Sequence, residues 1–128
     1  MADYTIVNFD SDVPDMAQRF GIKGHDFRVA REVLGLQNSG VSRMRLEAGA
    51  RTPFGHKHGE QEEVYVVVSG SARLKLEDDV VELGQWDAVR IAPDVMRCLE
   101  GGPGGCELVL VGAPTPRDTE MAPGWWSD

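Results

Sequence analysis

The stretch GARTPFGHKHGEQEEVYVVVSG, residues 49 to 70, concentrates the side chains able to do chemistry. His56 and His58 stand at i and i+2, so in an extended chain both imidazoles point to one side and Lys57 to the other. After the polar gap of residues 59 to 62, Glu63 heads a β-prone run, Val64 to Val68. A turn in that gap brings the carboxylate back beside the two imidazoles. Two histidines and one carboxylate on neighbouring strands form a facial set suited to non-haem iron, and equally to zinc, manganese, nickel or copper.

Positioning such a set requires strands, and the chain is patterned for them. It has 15 Gly and 7 Pro in 128 residues, a density of breaks that favours short strands over long helices. Tyr4 to Phe9 reads as a first strand. Val13 to Phe20 reads as a short helix with Asp12 as its N-cap and Gly21 as its stop. Phe27 to Leu34 and Val41 to Leu46 read as strands. Ala72 to Leu76 alternates apolar and polar residues and returns through Val80 to Leu83 as a hairpin. Asp87 to Ala92 is a further strand. Met96 to Glu100 and Cys106 to Gly112 read as a pair joined by the glycine-rich turn 100 to 105, with Cys98 and Cys106 facing each other as free thiols. Residues 113 to 128 read as a Pro-rich tail. About nine or ten short strands at this spacing point to an all-β sandwich or jelly roll.

The spacing H-x-H-x4-E-x6-G, carried by His56, His58, Glu63 and Gly70, resembles the first motif of the cupin superfamily. Gly49 precedes His56 by one residue more than that pattern has. The resemblance implies a double-stranded β-helix, the cupin jelly-roll barrel, here with a short N-terminal helix. It covers about Val41 to Gly112 and implies one domain over residues 1–128: an N-terminal strand, helix and strand to 40, the barrel core from 41 to 112, and the tail. It also implies His56, His58 and Glu63 as ligands of a divalent transition metal (iron, manganese, nickel or zinc). Dioxygenase, isomerase or decarboxylase chemistry on a small organic molecule would follow.

The second cupin motif, in outline G-x5-P-x-G-x2-H-x3-N, is altered in this chain. Pro93 fits, Asp94 stands in place of glycine, and Arg97 stands in place of the fourth metal ligand. A guanidinium is always charged and cannot ligate a metal. Two readings stay open. In one, three protein ligands hold the metal and Arg97 grips a substrate carboxylate, phosphate or enolate. In the other, the pocket is metal-free and non-catalytic, and Arg97 pairs with Glu63 or Glu62 in the ion's place.

Other residues are weighed against the same interior. Tyr65 shares the parity of Glu63, so its hydroxyl meets a ligand there or packs in the core. Either Met44 and Leu46 or Arg43 and Arg45 line the pocket from another strand, and the charged pair is expected to face solvent or a subunit boundary. His25 reads as an exposed loop histidine beside Gly24 and Asp26, its alternative being a further metal ligand. Glu62 points outward, and Trp86 packs in the core or at the rim. Trp125 and Trp126 either fold back on their own barrel or dock on a second protomer. A homodimer is expected, with Thr5 to Phe9 adding to a partner's sheet edge.

Composition limits the alternatives. Thirteen basic against 21 acidic residues leave a net charge of −8, and no cluster of bases that could track phosphates, so nucleic acid is not an expected partner. Nothing resembles a signal peptide or a membrane span, and the expected setting is cytoplasmic.

Overall fold

The computed structural model describes residues 1–128. Eight strands build one curled antiparallel sheet: β1 (His25–Val29), β2 (Gly40–Leu46), β3 (Phe54–His58), β4 (Glu63–Leu76), β5 (Asp79–Leu83), β6 (Ala88–Ile91), β7 (Arg97–Gly112) and β8 (Thr119–Pro123). Three single-turn helices accompany them: α1 (Phe9–Asp12), α2 (Met16–Arg19) and α3 (Arg31–Leu34). The expected jelly-roll barrel forms. No helix is long and apolar enough to cross a membrane.

The two long strands β4 and β7 pair from Glu63↔Gly112 to Leu76↔Arg97 and bend together, so each serves both faces of the barrel. One face runs β1, β2, the second half of β7, the first half of β4, and β6; the other runs β8, β3, the first half of β7, the second half of β4, and β5. Inward residues of both, including Leu46, Tyr65, Val67, Leu74, Leu99 and Leu108, form the core.

The glycines at the bend explain the largest departure from expectation. Residues 100 to 105 are not a hairpin turn; β7 runs straight through them. Gly101, Gly102 and Gly105 among them are small because other backbone lies against them. A Cβ on Gly101 would stand 2.3 Å from the Glu47 carbonyl oxygen, and one on Gly70 would stand 2.1 Å from that of Gly105. Cys98 and Cys106 therefore lie in the same strand, both free and buried, and do not face each other.

The N-terminal third also differs. Tyr4 to Phe9 is not a strand. The Asn8 side chain accepts from the Asp10 and Ser11 amides and the Asp12 side chain accepts from the Asn8 amide, which winds the chain into α1 instead. The second helix is capped by Asp15, not Asp12, and ends before Gly21 as expected. The expected strand from Phe27 to Leu34 starts earlier, at His25, stops at Val29 and turns into α3, which Gly35 closes in a left-handed conformation. Arg43 does not face solvent. The α1 segment folds over it, and Asp10 and Asp26 lie 2.8 and 3.2 Å from its guanidinium.

At the other end, the tail supplies β8, which pairs with β3 from Phe54↔Pro123 to His58↔Thr119. Trp126 is buried on its own barrel, with the Arg51 guanidinium 4.3 Å and that of Arg73 5.2 Å from its ring centroid. Trp125 lies over Gly55 and Lys75. Trp86, expected in the core or rim, is 68% exposed in a turn after β5.

Candidate metal centre and ligand cavity

Strand β3 carries His56 and His58 inward and turns Lys57 outward to pair with Glu120 of β8 at 3.3 Å. The intervening chain is then tied down by a residue the sequence did not single out. Asp118 accepts from the amides of Glu60 and Gln61 at 2.8 and 2.9 Å, and its carbonyl accepts from Gly59. The turn so fixed delivers Glu63, at the start of β4, to both imidazoles. Nε2 of His56 and Nε2 of His58 each lie 3.3 Å from Glu63 Oε1. All three candidate ligand atoms fall within 4.8 Å of one another. The two rings meet edge to face, with centroids 5.1 Å apart.

Arg97 opposes His56 across the β7–β3 ladder and is 1% exposed. Its Nη2 donates to the Ala92 carbonyl at 3.0 Å. Its Nη1 is 3.7 Å from Glu63 Oε1, and neither Nη1 nor Nε has a hydrogen-bond partner. The Tyr65 hydroxyl donates to Glu63 Oε1 at 3.3 Å. Glu62 points outward, as expected, toward Arg90.

The electrostatics follow from these neighbours. Burial pushes the Glu63 carboxyl up, but the His56 bond and the charges of His56, Arg97 and His58 outweigh it and hold it below its ordinary value. Burial lowers His58, and His56 and Arg97 lower it further against the pull of Glu63. Tyr65 is raised well above its ordinary value, first by burial and then by the Glu63 charge, so it remains a donor. An ionised carboxylate and a neutral imidazole are the forms that ligate a metal. The donor set of two ring nitrogens and one carboxylate oxygen thus fits a divalent transition ion.

Support for the ligands comes from two residues that sequence reasoning missed. Asp118 Oδ2 and Thr119 Oγ1 lie 3.5 and 3.2 Å from His58 Nδ1, whereas the Gln61 side-chain nitrogen lies 3.1 Å from His58 Nε2, the nitrogen an ion would take, and has to turn aside for it. A histidine ligand is commonly oriented by a carboxylate on its other nitrogen. No local pattern marked Asp118 and Thr119 in the sequence. Pro114, Pro116 and Pro123 made the segment read as a tail.

The site opens into a cavity of about 710 Å³ between β1–β2 and β3–β8, where no ladder closes the barrel. Phe27, Met44, Leu110 and Met121 line it, and Met16 and Phe20 of the α2 region cover it. Met44 faces this cavity as expected, whereas Leu46 lies in the core. His25 lines the cavity from β1 but stands outside the cluster of candidate metal ligands.

No family model and no curated protein matches the chain. Solved structures do. A cupin protein from Bacteroides fragilis is 24% identical, with 91% of this chain and 89% of that one aligned at a TM-score of 0.73. A cupin-superfamily sugar phosphate isomerase from Silicibacter pomeroyi is 21% identical over 92% and 82% of the two chains, with a TM-score of 0.74. Oxalate decarboxylase from Bacillus subtilis, a protein with Mn(II) centres, is 23% identical over 73% of this chain and 26% of its own, with a TM-score of 0.64. The chain spans about a quarter of that enzyme's length. The chain has the cupin fold.

Proposed function

We propose that this cupin-fold protein binds a divalent transition metal through His56, His58 and Glu63, and a small organic anion beside it through Arg97 and Tyr65. The observation that carries the reading is the state of Arg97. A guanidinium buried with two unpartnered nitrogens is costly, and it sits in the cavity that holds the candidate ligands. An incoming carboxylate, phosphate or enolate oxygen accepts from Nη1, the unpartnered nitrogen 3.7 Å from Glu63 Oε1, and screens Arg97 from the dication. A metal bound there supplies Lewis acidity. Arg97 orients the anion and stabilises negative charge developing on it, Tyr65 offers a hydroxyl, and the apolar wall excludes water. The solved relatives include an isomerase and a decarboxylase, which is the range of reaction we propose.

A second reading is favoured by one observation. Glu63 Oε1 gathers His56, His58 and Tyr65, with Arg97 at 3.7 Å, a network that satisfies the carboxylate without an ion. In that case the barrel binds a small ligand without catalysis, and Arg97 supplies the positive charge.

Metal content measured by plasma mass spectrometry separates the two. The metal reading expects near one equivalent of transition metal, lost in the His56→Ala/His58→Ala double variant. Protein that stays metal-free after incubation with iron, manganese, nickel or zinc sinks it and leaves the second.

We further propose a homodimer in the cytoplasm. Tyr4 and Ile6 are 72% and 83% exposed, apolar surface that a second copy would cover, and two buried free thiols suit a reducing compartment. Light scattering that gives a 14.0 kDa species at micromolar concentration ends the dimer proposal.

A further inference from the structure

His25 is the cavity-lining histidine that the metal centre does not use. Its Nδ1 lies 2.7 Å from the Lys23 carbonyl oxygen. A carbonyl only accepts, so Nδ1 carries the proton of that bond, and in the neutral ring Nε2 is left with a lone pair. That Nε2 is buried and has no partner. Parity places His25 on the same face of β1 as Phe27 and Val29, and all three line the cavity. A buried acceptor without a donor is a standing cost of the folded chain.

The ladders place this acceptor far from the metal ligands. Glu63 pairs with Gly112, which pairs with Gly40 at the start of β2. His25 pairs with Leu46 at the end of β2. Six residues of strand separate the two levels, roughly 20 Å between backbones. Phe27, Met44 and Leu110 line the wall between them. We infer that His25 is a distal recognition residue, which selects organic anions carrying a hydrogen-bond donor, a hydroxyl or an amine N–H, at the end remote from the charged group. The charged group goes to Arg97, an apolar body lies along the wall, and the far donor meets His25 Nε2. This inference rests on Arg97 holding the anionic end, as proposed above.

The test uses calorimetric titration of the whole protein with two matched series: linear alkanoates from butyrate to decanoate, and the ω-hydroxy acids of the same lengths. At one length the ω-hydroxy acid should bind about tenfold more tightly than its parent, the difference made by satisfying a buried acceptor. In His25→Phe, which keeps an aromatic ring but no acceptor, the preference should vanish while alkanoate affinity stays within about twofold. Thermal melting checks that this variant is folded, and His25→Gln, which offers an amide oxygen, should recover part of the preference. Arg97→Ala should weaken both series alike. The inference is overturned if no chain length favours the hydroxyl, or if the preference survives in His25→Phe. Should alkanoates and hydroxy acids bind wild type and Arg97→Ala equally, or not at all, the anionic end itself is wrongly placed and the inference falls with it.

Discussion

Asp118 Oδ2 lies 3.5 Å from His58 Nδ1, although the two residues are sixty positions apart in the chain. Both side chains are 5% exposed. The same carboxylate accepts from the Glu60 and Gln61 amides, and these bonds hold it below its ordinary value although burial alone pushes it up. The start of β8 thereby fixes both the orientation of one candidate ligand and the turn that delivers another.

The Asp118→Ala variant should therefore weaken metal binding by about 10- to 100-fold without removing any candidate ligand, the usual effect of losing a carboxylate behind a histidine. Competition with a chromophoric chelator measures it. Unchanged affinity would mean that Thr119 holds the ring by itself.

Arg97→Met should separate stability from binding. The substitution removes a buried charge with two unpartnered nitrogens and leaves an apolar side chain of similar reach. Replacing buried ionic groups with apolar ones is often neutral or stabilising, by about 1–4 kcal/mol. With metal bound, Glu63 keeps a cationic partner. The melting temperature of the metal-loaded variant should equal or exceed that of wild type, while affinity for small carboxylates falls at least about tenfold. A marked drop in melting temperature would mean that the Arg97–Glu63 pair is structural.

The barrel's bend depends on glycines that nothing else can replace. Gly70 has φ +73° and its Cβ position is 2.1 Å from the Gly105 carbonyl oxygen. Gly70→Ala combines a left-handed alanine with an overpacked backbone, together about 2–5 kcal/mol. Urea unfolding should show it as a lower midpoint. The comparable change at Gly104, where a Cβ meets nothing within 4 Å, should cost under about 1 kcal/mol.

These glycines also show what could and could not be read from the chain. The His56, His58 and Glu63 set was legible because a strand's period of two and one short turn fix their relation locally. Residues 100 to 105 were misread because Gly-Gly-Pro-Gly-Gly suits a turn equally well. Only the partner backbones, Leu46 and Glu47 among them, reveal that small side chains are required by close approach. Asp118 and Thr119 escaped notice for a related reason. Their role depends on β8 crossing back to β3, and no local pattern specifies that pairing. Arg43 looked like a surface residue by alternation, and its burial comes from α1, a segment whose strand-like residues are overridden by the Asn8 cap.

Acid should loosen that N-terminal cover. The Arg28 hydrogen bond is the largest influence on Asp26 and, with Arg43, holds its carboxyl below the ordinary value against the opposing effect of burial. A depressed carboxylate contributes stability that is fully present above its unfolded pKa, near 4, and is lost as pH falls through the lower folded value. The contribution of Asp26 to the melting temperature, read as the difference between wild type and its Asn variant, should thus be flat from neutral pH to about 5 and decline below about 4. In Asp26→Asn the protein should lose about 1 kcal/mol at neutral pH after allowance for solvent screening, and the difference from wild type should shrink in acid. A difference that persists unchanged at low pH would assign the loss to packing instead of charge.

Trp126 joins the C-terminal end to the barrel. Its ring is buried under the guanidinium groups of Arg51 and Arg73, and its carbonyl accepts from Arg51 Nη1 at 3.0 Å. Arg51 also pairs with Glu100 at 2.6 Å, so the indole seals a charged cluster on β7. Trp126→Ala should cost about 3 kcal/mol, from lost burial and the two cation–π contacts. Because β8 lies only a few residues upstream and carries Thr119 against His58, the loss should not stop at stability. Amide exchange along residues 119 to 123 should rise in the variant, and metal affinity should fall with it. If exchange rises and affinity does not change, Asp118 and its three amide partners in the 59–61 turn anchor the start of β8 independently of the tryptophan.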